Sequence, residues 1–247
     1  MQKRFPSTLI VAHRGYSSKY PENTLAAFTA AADAGAHMIE LDVCLSRDRR
    51  LVVIHDDTVD RTTSGTGAVK TLSWRQLSRL DAGSWFDPSF SGEKVPSLEQ
   101  VLDAVKGRLL VNIEIKPEAF EGLSPADAVE RQVMALVREK QMTDDVLVSS
   151  FEWQILENIR QLDPDIALGL LSDTPADESL LHWHQRIDGF SWHPDYRILT
   201  RAQVDTLHAI GAKVFPYAVK GKIDIGAMLA MGVDGLIIDD PAHMVSN

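Results

Sequence analysis

From Leu9 onward, short runs rich in β-branched and aliphatic residues alternate with stretches whose apolar residues recur at helical spacing. Eight of these runs read as strands: LIVAH near 9–13, MIELDVCL near 38–45, LLVNIEI near 109–115, VLVSS near 146–150, IALGLL near 166–171, GFSW near 189–192, KVFPYAV near 213–219 and GLIID near 235–239. Strands that alternate with helices form a parallel sheet covered by those helices, and eight such units predict a closed α/β barrel of the (β/α)8 TIM type. A weak internal echo agrees. Ala34-Gly35-Ala36, Ile210-Gly211-Ala212 and Met231-Gly232-Val233 each separate a helical pattern from a strand-like run, and each glycine fits a helix C′ position that needs positive φ. Helix starts are predicted at Ser97 with Gln100 and at Thr200 with Gln203, both at capping-box spacing, and at Ser124 followed by Pro125.

Residues of about 51–96 break the alternation. LVVIHDD reads as an extra strand, the turn-rich TTSGTG follows, a short helix opens at Ser73, and DAGSWFDPSFSGEKVP closes the segment. This is an insertion after strand two, too short and too poor in apolar residues to make a domain of its own. Residues 1–247 are therefore expected to form one barrel domain, with the insertion as one wall of a site. Trp74, Trp85, Phe86 and Phe90 cluster in it. Trp74 reads as part of a small local core, and Trp85 and Phe86 are divided evenly between that role and a contact surface for a leaving group.

A chain of 247 residues with 45% hydrophobic and 24% charged residues is an ordinary globular composition. No apolar run approaches a bilayer span, and MQKRFPSTLIVAHRG lacks the apolar core and cleavage site of a signal peptide, so a cytoplasmic location is expected. The single cysteine, Cys44, has no partner for an internal disulfide and reads as a small buried hydrophobe. A formal net charge of −10 without a concentrated basic face argues against nucleic acid and against stable association with an anionic membrane. An anionic substrate would need local compensation.

Polar residues interrupt the strand ends, where a βα barrel gathers its chemistry. The first run ends in His13-Arg14-Gly15, the second contains Glu40 and Asp42, the third Glu114 and Lys116, and the last ends in Asp239-Asp240-Pro241. Residues two apart on a strand share a face, so Glu40 pairs with Asp42 and Glu114 with Lys116. Three carboxylates in one barrel mouth repel and resist ionisation unless a cation compensates them. An all-oxygen set suits a hard divalent ion, Mg²⁺ or Ca²⁺, better than zinc. The competing reading is a set of salt bridges with Lys116 or Arg14. It accounts for one or two of these residues but poorly for two same-face pairs.

His13 and His55 each follow an apolar strand and precede a charged residue, and two histidines can divide proton removal from proton donation near neutral pH. The remaining histidines read mostly as surface or packing residues, with His193, after strand six, as the exception.

His13-Arg14-Gly15, Pro21-Glu22-Asn23-Thr24, Glu40-Leu41-Asp42-Val43 and His55-Asp56 together resemble the glycerophosphodiester phosphodiesterase family. Arg61-Thr62-Thr63-Ser64-Gly65-Thr66-Gly67, Asp81-Ala82-Gly83-Ser84-Trp85-Phe86, Asn112-Ile113-Glu114-Ile115-Lys116 and Asp239-Asp240-Pro241 extend the resemblance over nearly the whole chain. The resemblance implies metal ligands at Glu40, Asp42 and Glu114, catalytic histidines at His13 and His55, and phosphate contacts from Arg14 and Lys116. It also implies hydrolysis of a glycerophosphodiester to glycerol 3-phosphate and an alcohol, with the glycerol 2-hydroxyl as a possible first nucleophile. Two departures bear on substrate-shaping contacts: Pro216-Tyr217-Ala218-Val219-Lys220 stands where relatives often carry a Trp-Thr-Val-Asn-like strand end, and Ile238 replaces a frequent Thr. The implied partner is a small-molecule diester, handled by a monomer or a homo-oligomer. A phospholipase on intact lipids would need an exposed apolar or basic loop, and a catalytically silent binding barrel would have no need of the intact polar set.

Overall fold

The computed structural model describes residues 8–245, so the first seven residues of the N-terminal stretch read above lie outside it. The elements in chain order are β1 (Leu9–Ala12), α1 (Leu25–Asp33), β2 (Met38–Leu45), β3 (Leu51–Val53), α2 (Trp74–Leu77), α3 (Leu98–Val105), β4 (Leu110–Ile115), α4 (Val129–Glu139) and β5 (Val146–Ser150). They continue with α5 (Trp153–Leu162), β6 (Ala167–Ser172), α6 (Glu178–Arg186), β7 (Ser191–Pro194), α7 (Arg201–Ala209), β8 (Lys213–Val214), α8 (Gly221–Ala230), β9 (Gly235–Ile238) and α9 (Ala242–Val245). Eight parallel strands run in the order β8-β7-β6-β5-β4-β2-β1-β9, and β3 pairs antiparallel with β2 outside that path. Backbone bonds from Asp234 N–H to the Val214 carbonyl (3.1 Å) and from Ile237 N–H to the Pro216 carbonyl (3.0 Å) bring β8 and β9 together. The result is a nearly closed (β/α)8 barrel.

Period-two alternation along each strand builds two cores. On β2, Ile39, Leu41 and Val43 face the helices and join the large outer core, while Met38 joins Leu9, Val11, Leu147, Ala167, Phe215 and Ile237 inside the barrel. Glu40 and Asp42 share the face of Met38, so the strand periodicity that fills the barrel floor with apolar side chains also delivers carboxylates above it. The insertion carries a third, smaller core of Val52, Ile54, Val59, Val69, Leu77, Ala82 and Val95, against which Trp74 and Leu80 pack.

The capping boxes at Ser97/Gln100 and Thr200/Gln203 form, and Gly35, Gly211 and Gly232 all adopt positive φ. Three expectations need correction. Helix α4 opens at Val129 and not at Ser124, because the Pro125 carbonyl takes the Ala128 N–H in a turn and Arg49 grips both the carboxylate and the carbonyl of Asp127. The run KVFPYAV is regular only over Lys213–Val214, since Pro216 lacks a ladder N–H; single bridges at Tyr217 and Val219 continue it. Cys44 is half-buried where β2 meets the insertion core, and burial, then Asp42, pushes its thiol up to about 12. Such a thiol is unreactive.

Candidate active site

The turn after β1 begins the site. Arg14 and Gly15 both sit in the left-handed region, at φ 56 and 82, and a side chain at Gly15 would meet the Ala27 backbone at 2.7 Å, so only glycine lets α1 approach this closely. The turn aims the Arg14 N–H at Glu40 Oε2, 2.8 Å away. Pro21-Glu22-Asn23-Thr24 then closes the entry to α1: Thr24 caps the helix through the Ala27 N–H and donates its hydroxyl to the Pro21 carbonyl. Asn23, itself at φ 57, donates its amide to Asp42 Oδ2 at 2.8 Å. The sequence motif thus works as a helix start that hands a donor to a carboxylate.

Glu40, Asp42 and Glu114 offer one oxygen each within 4.8 Å of one another, and all three are buried. Adjacent strands in register explain the meeting, since Asp42 on β2 lies opposite Glu114 on β4. Two cations lie alongside. Lys116 Nζ is 3.0 Å from Glu114 Oε1 and 3.6 Å from Asp42 Oδ1, while Arg14 Nε is 3.6 Å from Asp42 Oδ2. These ion pairs do not balance the cluster. Burial first, then Asp42 and Glu114, push Glu40 well above the ordinary glutamate range. Burial and Asp42 push Glu114 up to about 7 despite Lys116. Asp42 alone stays below its ordinary value, because Arg14 and Lys116 outweigh its burial. Glu40 Oε1 and Asp42 Oδ1 are buried without a hydrogen-bond partner. A buried all-oxygen cluster with orphaned acceptors and surplus negative charge is the donor set of a hard divalent cation, so these residues fit one.

Each histidine is held by a carboxylate through Nδ1. His13 Nδ1 lies 2.7 Å from Asp239 Oδ1, and His55 Nδ1 lies 2.7 Å from Asp56 Oδ1. With Nδ1–H donated, Nε2 is the free nitrogen in both rings. Burial lowers His55 below the ordinary imidazole value, and Asp42 and Asp56 only partly oppose it. His193 is different in kind: it is fully buried inside the barrel, bonded to Ser191 Oγ at 2.8 Å and lowered by burial to about 3, so it is a neutral packing residue.

Of the aromatics in the insertion, Trp74 packs on the local core. Trp85 is exposed and stands edge-on to Phe86, which in turn meets Phe90. At the departures noted above, Tyr217 contacts the exposed Phe151 edge-to-face and Ile238 is buried. Sequence reading assigned no role to Asn23, Glu22, Arg61, Asp56 or Asp239, each of which contacts one of the seven candidate residues or a side chain that does. Asp239, at the end of the last strand, and Asp56, next to His55, carried a positional signal, whereas Glu22, Asn23 and Arg61 stood out only as members of motifs.

The glycerophosphoryl diester phosphodiesterase family model matches residues 13–243. A glycerophosphodiester phosphodiesterase of Caldanaerobacter subterraneus subsp. tengcongensis is 39% identical over 242 residues, covering 97% of each chain. The structure of an Oleispira antarctica phosphodiesterase, in complex with the product sn-glycerol-3-phosphate, superposes with a TM-score of 0.90 at 29% identity, covering 98% of this chain and 96% of that one. A glycerophosphodiester phosphodiesterase from Agrobacterium tumefaciens superposes with a TM-score of 0.84 at 31% identity, covering 97% of this chain and 100% of that one. Matched along almost its whole length, the chain belongs to the glycerophosphoryl diester phosphodiesterase family.

Proposed function

We propose that this protein hydrolyses glycerophosphodiesters to sn-glycerol 3-phosphate and an alcohol, with Glu40, Asp42 and Glu114 holding Mg²⁺ or Ca²⁺. The observation that carries the proposal is the buried carboxylate cluster flanked by Arg14, Lys116 and two carboxylate-held histidines. A bound divalent ion supplies Lewis-acid polarisation of the phosphoryl group and neutralises charge as it develops. Arg14 and Lys116 bind and orient the phosphodiester oxygens, each already directed at the cluster by Asp42. His55, whose proton affinity burial lowers, takes the proton from the attacking hydroxyl as its oxygen bonds to phosphorus. Attack by water gives sn-glycerol 3-phosphate directly; attack by the glycerol 2-hydroxyl gives a cyclic glycerophosphate, which water then opens, His13 taking the water proton and His55 returning its own to the 2-oxygen. His13 protonates the alcohol oxygen as the phosphorus–oxygen bond to it breaks, and Asp239 steadies the ring through Nδ1.

The product held by the Oleispira antarctica relative supports a small diester as substrate. Among the described residues, no helix is long and apolar enough to cross a membrane. A cytoplasmic location and a single folding unit over residues 1–247 belong to the same proposal; cell fractionation and coincident unfolding by circular dichroism and tryptophan fluorescence test them.

His13→Ala and His55→Ala test the chemistry. Each should lower kcat by about 10²–10⁴ while leaving metal affinity nearly unchanged, and the wild-type pH–rate profile should be bell-shaped. An activated leaving group such as p-nitrophenol should restore the His13 variant alone, because such a group departs without a proton. Near-wild-type kcat for both variants on both substrates would refute the two-histidine mechanism.

A further inference from the structure

Two arginines hang from one carboxylate beside the site. Glu22 Oε1 accepts from Arg14 Nη1 at 2.9 Å and from Arg61 Nη2 at 2.7 Å, and Glu22 Oε2 accepts from Arg61 Nη1 at 2.8 Å. The other edge of Arg61 grips Asp56, from Nε to Oδ2 at 2.7 Å and from Nη2 to Oδ1 at 2.9 Å. Asp56 Oδ1 in turn holds His55 Nδ1. A continuous chain of alternating charge, His55–Asp56–Arg61–Glu22–Arg14, therefore links the insertion to the turn after β1.

We infer that Arg61 and Glu22 are positioning residues, which fix the tautomer and orientation of His55 and the reach of Arg14 relative to one another. The inference rests on the roles proposed above for His55 and Arg14. Arg61 is 44% exposed, and an ion pair so open to solvent contributes little to stability. Yet it makes four hydrogen bonds to two carboxylates, which is a geometric device more than a stabilising one. Only a guanidinium reaches both, because its planar fork presents donors along two edges where an ammonium offers one point. Glu22 stays ionised despite its burial because Arg61 and Arg14 both bond it, and Asp56 is held far below the carboxylate range chiefly by Arg61.

The surrounding chain is built to present Arg61. Val59, Thr62 and Thr63 on either side are buried, the Thr63 hydroxyl donates to the Val59 carbonyl at 2.6 Å, and the Val59 N–H pairs with the Gly67 carbonyl. These contacts anchor the backbone on both sides of the exposed arginine. Without Arg61, Asp56 has only His55 as a side-chain partner and is free to rotate with it. Without Glu22, Arg14 is left with Asp42 and Glu40 and is drawn into the carboxylate cluster, away from the phosphodiester oxygens it orients.

The test compares Arg61→Ala, Arg61→Lys and Glu22→Gln in the full chain, with His55→Ala as reference. In metal-free wild-type protein, long-range ¹H–¹⁵N correlation of His55 should show one Nδ1–H tautomer, and Arg61→Ala should show a mixture. On sn-glycero-3-phosphocholine with added Mg²⁺, Arg61→Ala should lower kcat by about 10- to 100-fold at nearly constant KM, the usual cost of losing a group that orients an active-site side chain. Arg61→Lys should not restore it, whereas millimolar guanidinium should restore part of it to Arg61→Ala. Glu22→Gln should lower kcat and raise KM together. An unchanged His55 tautomer in Arg61→Ala, or kcat within about twofold of wild type in both Arg61 variants while His55→Ala is impaired, would overturn the inference. A fully active His55→Ala would instead overturn the catalytic reading, and the tautomer measurement would still decide whether Arg61 positions the ring.

Discussion

Replacing Glu114 by Gln perturbs the site in two opposite senses. In the folded, metal-free protein, burial and then the Asp42 charge push Glu114 up to about 7, against an ordinary value of 4.5 that the unfolded chain retains. Between those values the folded state binds a proton that the unfolded state does not, so the stability Glu114 contributes is full below about 4.5 and is lost as pH rises through about 7. At about 1.4 kcal/mol per pKa unit, the ionised carboxylate costs up to about 3 kcal/mol at pH 8. Gln removes that cost, and its amide oxygen still accepts from Lys116 Nζ, 3.0 Å from the oxygen it replaces. In chelator, Glu114→Gln should therefore melt higher than wild type by as much as about 6–12 °C at pH 8, with little difference at pH 4.5. Saturating Ca²⁺ or Mg²⁺ should reverse the order at pH 8, because an ion that binds only the folded state stabilises it by mass action and a neutral amide binds it far more weakly. Calorimetric melting at both pH values, with chelator and with ion, reads all of this directly. If Glu114→Gln melts below wild type in chelator at pH 8, and the ion stabilises both proteins equally, then Glu114 is an ion-pair partner of Lys116 and not a metal ligand.

Further outcomes follow from individual contacts. Asn23→Gly keeps the positive φ accessible but removes the donor to Asp42, so calorimetric titration should find Ca²⁺ or Mg²⁺ affinity reduced by about 10- to 100-fold with the fold intact. Asp239→Asn should lower kcat without weakening metal binding, since the side chain touches His13 and not the carboxylate cluster. Gly169→Ala would place a methyl 2.7 Å from the His193 ring, and chemical denaturation should show a loss of about 1–3 kcal/mol from this overpacking, an increment that should largely vanish when the same change is made in a His193→Ala background.

The barrel was legible because its strands announce themselves as short β-branched and aliphatic runs, buried on both faces, and its helices by caps. Glu40 and Asp42 could be paired from spacing alone, since any strand turns alternate residues to one face. Their meeting with Glu114 required only that β2 and β4 be neighbours, which the chain order of a βα barrel provides once the insertion is set aside. What spacing cannot carry is contact across turns. Asn23 reaches Asp42 only because it holds a left-handed conformation at the entry to α1, and Arg61 reaches Glu22 across 39 residues only because the insertion folds back. Neither follows from hydrophobic periodicity, which is silent in turns. Ser124-Pro125 misled for the same reason: the local signal for a helix start is genuine, but Arg49, from a distant hairpin, claims Asp127 and delays the helix to Val129. His193 shows the converse, a strand-end polar residue whose full burial assigns it to packing.

The central claim is that three buried carboxylates hold a divalent ion for glycerophosphodiester hydrolysis. It is tested most directly by following sn-glycero-3-phosphocholine, and a panel of diesters with other alcohols, by ³¹P NMR with the purified, dialysed protein. With Mg²⁺ or Ca²⁺ added, the diester resonance should give way to that of sn-glycerol 3-phosphate, chelator should stop the conversion, and restoring the ion should restart it. Undiminished turnover in chelator, or no turnover of any diester in the panel with either ion present, would contradict the account.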